Sequence, residues 1–202
     1  MITNTSKYLK ERFSSSINLI NSLDEKFYNK VEKIFELSLK CINNNGKIIT
    51  FGNGGSASDA IHLSGELVGR FKFERNPINS ICLNTNISVI TSIANDYSYD
   101  DIFIRQLEAI SNKNDVILAI STSGTSKNII KCLDFVRNNN MNFFMFTGEK
   151  ICFNEEYIKT INVPSNSVDK IQEIFFFFMH SYCEFIELNV FKNTNKIDNT
   201  ND

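Results

Sequence analysis

The chain has 202 residues, 42% of them hydrophobic and 22% charged, the proportions of a folded globular protein, which exclude a disordered, collagenous or multi-span membrane chain. That length suits one substantial domain or two small ones, with enough chain to bury a core without staples. With 21 basic side chains against 23 acidic, the net charge is −2, so no whole-protein field attracts nucleic acid or an anionic membrane, and any bound anion needs a local site.

From the N-terminus, Met1 to Asn18 scatters Lys7, Lys10, Glu11 and Arg12 among Ser and Thr, without the unbroken apolar segment of a secretory signal. Apolar residues at helical spacing predict helices over Tyr8–Leu23 and Phe27–Ile42, the second stopped by the turn-forming run Asn43–Gly46. Beyond them the period changes. Short β-rich runs at Lys47–Phe51, Ser80–Leu83, Val116–Ile120, Phe143–Phe146 and Thr160–Val163 alternate with segments long enough for helices. Right-handed crossovers would place those helices on both faces of a parallel sheet. The predicted fold is therefore a three-layer α/β/α sandwich with a five-stranded parallel sheet, preceded by an N-terminal helical hairpin. Its parts are hairpin 1–45, assigned to oligomerisation, α/β domain 46–190 and polar tail 191–202. A last helix is expected over Val168–Asn189. Its most apolar run, Ile171–Ile186, is interrupted by Gln172, Glu173, His180, Ser181 and Glu184, which reads as a buried helix too short and too polar to span a bilayer. The five cysteines are scattered with no CxxC pair, as in a reduced, cytoplasmic protein.

Ligands of such sheets bind at the carboxyl ends of the strands, where loops lead into helix N-termini. Two loops stand there, Gly52-Asn53-Gly54-Gly55-Ser56-Ala57 and Ser121-Thr122-Ser123-Gly124-Thr125-Ser126. The first matches the dinucleotide pattern G-x-G-x-x-A, but no acidic residue ends the second strand at Leu83-Asn84-Thr85 to hold a ribose. Neither loop carries the Gly-Lys-Ser/Thr of a nucleotide P-loop, so no nucleotide cofactor is expected. In the second loop five of six residues bear hydroxyls. One would be an ordinary helix cap; this many suit the oxygens of a monophosphate.

The two histidines are His62 and His180. A lone helical histidine is usually packed or solvated, yet His62 has Glu66 one turn on, a spacing suited to an acid/base pair or a metal. His180 follows a Phe-rich stretch where an unpartnered imidazole is costly. Gln172 and His180 lie about 12 Å apart along their helix, so the two would meet one ion only by leaning toward each other.

Taken together, Phe51–Asp59 with His62 and Glu66, Ala94-Asn95-Asp96, Ile120–Gly124 with Ser126, and Asp169–Glu173 with His180 resemble the sugar-isomerase (SIS) domain family, and within it the bacterial phosphoheptose isomerases, over about Tyr8 to Glu187. The resemblance implies an aldose-ketose isomerase that converts sedoheptulose 7-phosphate to glycero-manno-heptose 7-phosphate, the first step toward nucleotide-activated heptose for bacterial surface glycans. It implies a homotetramer with active sites between subunits. Carried over by position, Asn53, Gly54, Gly55, Asn95 and Asp96 would hold the sugar, and Ser121, Thr122, Ser123 and Ser126 the phosphate. Glu66 and His180 would be the acid/base pair, with Glu66 and Gln172 also touching substrate. His62, Glu66, Gln172 and His180 would ligate one zinc per subunit. Thr125, Gly65 and the segment Gly148–Glu156, which lacks a Gly-rich stretch, depart from the family pattern. The same family holds non-catalytic members, among them a scaffold that binds the replication initiator, which lack a Glu at the position of Glu66; its presence here favours the enzyme.

Overall fold

The computed structural model describes residues 4–191. Helices α1 (Thr5–Asn21) and α2 (Glu25–Asn43) form the hairpin. Each starts where a short polar side chain accepts a hydrogen bond from the first turn, Asn4 from the Lys7 N–H and Asp24 from the Phe27 N–H. Then follow β1 (Ile48–Gly52), α3 (Gly55–Val68), β2 (Ser80–Cys82), α4 (Ile87–Asp96), a 3-10 turn at Tyr99–Asp101 and α5 (Ile104–Ile110). The second half holds β3 (Val116–Ile120), α6 (Lys127–Ile130), α7 (Cys132–Asn138), β4 (Asn142–Thr147), β5 (Ile158–Asn162) and α8 (Val168–Phe191).

The five strands make one wholly parallel sheet in the order β2-β1-β3-β4-β5, as the alternating pattern requires. β3 begins and ends where expected, and the other strand ends lie within two residues of the expected ones. Each central strand feeds two cores in turn. Ile48, Val116, Leu118, Phe144, Phe146 and Ile161 face α2, α3 and α8, while Ile49, Phe51, Ile117, Ala119, Phe143 and Met145 face the α4–α7 side. Because both faces are covered, these strands read as continuous apolar runs rather than as alternations. Phe146 illustrates the packing, meeting the rings of Phe27, Phe175 and Phe178 within 6.5 Å; truncating such a residue to Ala costs about 3–5 kcal/mol.

The structure corrects one argument about α8. At 24 residues it is long and apolar enough to cross a bilayer, so length does not assign it to the core. Packing does: Ile171, Ile174, Phe175, Phe178, Met179, Tyr182, Cys183 and Ile186 are all buried against the sheet and α2. The tail expected over 191–202 lies, past Phe191, outside the described residues.

The chain leaves β1 toward β2 on one side and β3 toward β4 on the other. Adjacent strands whose connections diverge open a crevice at their carboxyl ends, where α/β sheets place their ligands. The two loops singled out in the sequence are the ones flanking that crevice.

Candidate active site

The first loop enters α3 through Gly54, whose φ of 57° is in the left-handed region. Gly55 matters for space: a Cβ there would sit 2.6 Å from Gln172 Nε2, so the glycine lets a side chain of α8 lie over the loop. Asn53 and Asn128 exchange two amide hydrogen bonds, each 2.9 Å, and Tyr99 Oη donates to Asn53 Oδ1 at 3.0 Å. These bonds tie the loop after β1 to α6 and to the 3-10 turn at Tyr99–Asp101 and fix the Asn53 amide.

The second loop is organised by its own hydroxyls. Ser121, buried, accepts the Gly124 N–H at 3.2 Å and lies 3.2 Å from Ser126 Oγ, while Ser123 Oγ accepts both the N–H and the hydroxyl of Thr125 at 3.2 Å. Gly124 has φ 70°, and a Cβ there would come within 2.8 Å of Thr147 Oγ1 and Ile151 Cβ, so the loop packs hard on the end of β4. Ser123 and Thr125 stay exposed and Thr122 and Ser126 half-buried, placing hydroxyls at the surface of a rigid floor. The helix expected next is a single turn, α6, which gives way at Lys131 to α7.

The residues expected to form the acid/base pair come from α3 and α8. His62 Nε2 lies 3.1 Å from Glu66 Oε1, one helical turn away; an ionised carboxylate only accepts, so the ring nitrogen carries the proton in this bond. The rings of His62 and His180 are 5.8 Å apart, edge to face. His180 is enclosed further by Phe71, stacked at 5.4 Å, and by the edge of Phe176 at 4.8 Å. Gln172 and His180 line one cleft of about 520 Å³ with Asp59, Asp169, Glu173, Phe176 and Phe177. In that cleft Gln172 Nε2 donates to Asp59 Oδ2 at 2.9 Å. Burial raises the Asp59 carboxyl above its ordinary value, against the opposing pull of Gln172 and His62. A cleft of about 480 Å³ between α2 and residues 149–164 holds Lys30, Cys152 and Asn162 and none of the expected site residues.

Of the four zinc candidates, His62 lies against both Glu66 and His180, but Glu66 Oε1 is engaged with His62 and Gln172 presents its nitrogen to Asp59. Among the described residues no group of three or more His, Cys, Asp or Glu side chains is set to hold a metal ion. As arranged, the four do not form a metal cage. Asn95 and Asp96, at the exposed end of α4, bond to each other at 2.8 Å; the hydrogen bond from this stretch to the first loop comes from Tyr99.

Sequence reasoning missed Asp59, Phe71, Tyr99 and Asn128. Asp59 could have been found, since it precedes His62 by three residues on the same helix face. The others act through contacts between segments far apart in the chain.

Comparisons with known proteins place the fold in a family. The SIS domain family profile covers residues 12–148. Phosphoheptose isomerases of Thermodesulfovibrio yellowstonii and Shewanella sediminis are 36% identical over 182 residues (89% of this chain, 90% of that protein) and 39% over 190 (91% and 95%). Among solved structures, the phosphoheptose isomerases of Neisseria gonorrhoeae and Francisella tularensis superpose with TM-scores of 0.83 and 0.81 at 30% and 28% identity, covering 91% of this chain and 99% and 98% of theirs. With the parallel sheet, the two crevice loops and this degree of likeness over nine-tenths of its length, the chain belongs to the SIS domain family and, within it, to the phosphoheptose isomerases.

Proposed function

We propose that the protein interconverts sedoheptulose 7-phosphate and glycero-manno-heptose 7-phosphate through an enediol, supplying heptose for bacterial surface glycans. The observations that support the reading are His62 placed against both Glu66, at 3.1 Å, and His180, at 5.8 Å between rings, and a hydroxyl-rich loop at the carboxyl end of β3. In the forward direction Glu66 takes a proton from C1 of the open-chain ketose and, exchanging with solvent, delivers one to C2, while His180 moves a proton from O1 to O2. C1 becomes the aldehyde and C2 the new carbinol, with no net change in protons or electrons. A neutral imidazole carries one donor and one acceptor nitrogen, so it can both give and take a proton. Asn53, Gly54, Gly55, Asn95 and Asp96 hold the sugar hydroxyls, with Gln172. The phosphate sits on Ser121, Thr122, Ser123 and Ser126, where short donors converge on its oxygens without a basic side chain.

The scaffold alternative is disfavoured because Glu66 is present and its carboxylate is held in place. Zinc binding by His62, Glu66, Gln172 and His180, which the family resemblance implies, would need the His62–Glu66 bond to open and Gln172 to turn its carbonyl inward. No step above depends on it. The tetramer with shared sites is supported by α1, which buries none of its side chains while Tyr8, Leu9, Phe13 and Ile17 stand exposed, and by Phe176 and Phe177, 42% and 60% exposed at the mouth of the cleft. A reducing cytoplasm fits the five free cysteines, of which Cys41, Cys132 and Cys183 are pushed by burial to about 12 and are inert as nucleophiles.

The deciding experiment follows sedoheptulose 7-phosphate by NMR in deuterated water, with and without chelator. Appearance of the aldose with deuterium at C2 supports the enediol route. No turnover in either sample would reject the enzyme.

A further inference from the structure

We propose that Arg75 and Glu187 are positioning residues of the acid/base centre, acting through Phe71 on His180 and through the end of α3 on Glu66; the inference rests on the isomerase reading above. It begins with a question of hydrogen-bond supply. The connection from α3 to β2, residues 69–79, has no regular structure, and its backbone groups, like the last carbonyls of α3, need partners. One ion pair provides many of them. Glu187, near the end of α8, accepts the backbone N–H groups of Phe71, Lys72 and Phe73 at 2.7, 2.8 and 3.2 Å, and Arg75 Nε at 2.8 Å. Arg75 then spends its two remaining nitrogens on carbonyls, Nη2 on Glu66 at 2.7 Å and Nη1 on Leu67, Asn76 and Gly69 at 2.9, 3.1 and 3.3 Å. Both side chains are 1% exposed.

The guanidinium thus closes the last turn of the helix that carries His62 and Glu66, and the carboxylate curls the following turn so that Phe71 lies over His180 with its ring inclined by 22°. Lys72 adds a second tie to α8 through Glu184 at 2.8 Å. A buried ion pair is a poor source of net stability compared with apolar packing. Its fixed fork does define geometry, and the geometry defined here is the separation of the two helices that supply the proton-transfer groups. Burial acts to raise the Glu187 carboxyl, but the hydrogen bonds from Lys72, Phe71 and Arg75 bring it below its ordinary value, so it is an anion at working pH. Neither Arg75 nor Glu187 lines the cleft, which separates positioning from contact with substrate.

The test compares kcat and KM of Phe71→Leu, Phe71→Tyr and Glu187→Gln in the intact enzyme, together with the NMR position of the His180 Hε1 proton, readily assigned in a chain with two histidines. Phe71→Leu removes the stacked ring and leaves the backbone bonds. It should lower kcat by about 10- to 10²-fold, the scale of an ångström of misplacement, leave KM within about twofold because the phosphate loop is untouched, and move the His180 signal by loss of the ring current. Phe71→Tyr keeps the ring and should restore both. Glu187→Gln should lower kcat at least as far as Phe71→Leu. Wild-type kcat and an unmoved His180 signal in Phe71→Leu would overturn the inference, even if Glu187→Gln fails to fold. Loss of thermal stability alone, with kcat kept, would also overturn it. His180→Gln serves as the control. If it is inactive while Phe71→Leu is not, this inference alone fails, whereas wild-type turnover in His180→Gln brings down the isomerase reading itself.

Discussion

The hydroxyl loop at Ser121–Ser126 closes on itself within six residues, its serines holding one another and the backbone of Gly124. The proposed acid/base centre draws on His62 and Glu66 on α3, His180 on α8 and Phe71 on the connection between α3 and β2, a connection fastened to α8 by Arg75 and Glu187, 112 residues apart. The difference teaches how such an enzyme divides labour. A phosphate is a large, fixed anion that one rigid loop can receive, whereas moving one proton between carbons and another between oxygens needs two groups, supplied here by different helices.

The contrast is broken most directly at the proton-transfer pair. Glu66→Gln and His180→Gln should each lower kcat by about 10² to 10⁴, the yield of positioned acid/base groups. Together they should cost little more than either alone, because both serve one relay. Equal losses in KM and kcat would erase the division between binding and chemistry. Metal content measured beside the kinetics tells whether either loss comes from coordination.

The loop side predicts the opposite signature. Ser121→Ala with Ser123→Ala removes two donors to a charged ligand, each worth about 1.5–3 kcal/mol, and should raise KM by about tenfold or more with kcat nearly unchanged. Ser121 shapes the loop from below while Ser123 faces out, so Ser123→Ala alone sharpens the test: it should shift KM without altering thermal stability.

A smaller effect is expected at the outer helix. Phe13→Asp places a charge on the most exposed apolar residue of α1 and should reduce the particle mass seen by light scattering. A monomeric wild type at micromolar concentration would remove the tetramer and with it the proposed sharing of sites.

The smallest effect concerns the bonds that fasten α1 to α8. Burial acts to raise the Glu173 carboxyl, but hydrogen bonds from Ser16 and Lys170 and the charge of Arg12 bring it below its ordinary 4.5. A folded value below the unfolded one means stabilisation that is complete above about pH 4.5 and is lost as pH falls through the folded value. Glu173 is about one-third exposed, so the contribution should stay under about 1 kcal/mol. Glu173→Gln should flatten the decline of the melting temperature below about pH 4. An unchanged decline would assign the acid sensitivity elsewhere.

How much was legible in the sequence follows the same divide. The parallel sheet could be read because strands covered on both faces are plain apolar runs; Val116–Ile120 was placed to the residue. The hydroxyl loop could be read because its bonds are local. The pairing of Asn53 with Asn128, of Asp59 with Gln172 and of Arg75 with Glu187 could not, since partners 75, 113 and 112 residues apart are chosen by topology and leave no spacing to detect. The α8 helix was legible as apolar and helical, but its assignment to the core rests on packing rather than length.

The place of α8 in the chain has a consequence for synthesis. All five strands precede Val168, so every strand is synthesised and emerges before the helix that carries Gln172, His180 and Glu187. Until that helix docks, Phe144, Phe146 and Ile161 have lost neither their water nor their capacity to stick to other nascent chains. The docking of α8 covers that surface and brings His180 to His62 at once, so a product truncated before Val168 would leave the surface bare and prone to aggregate.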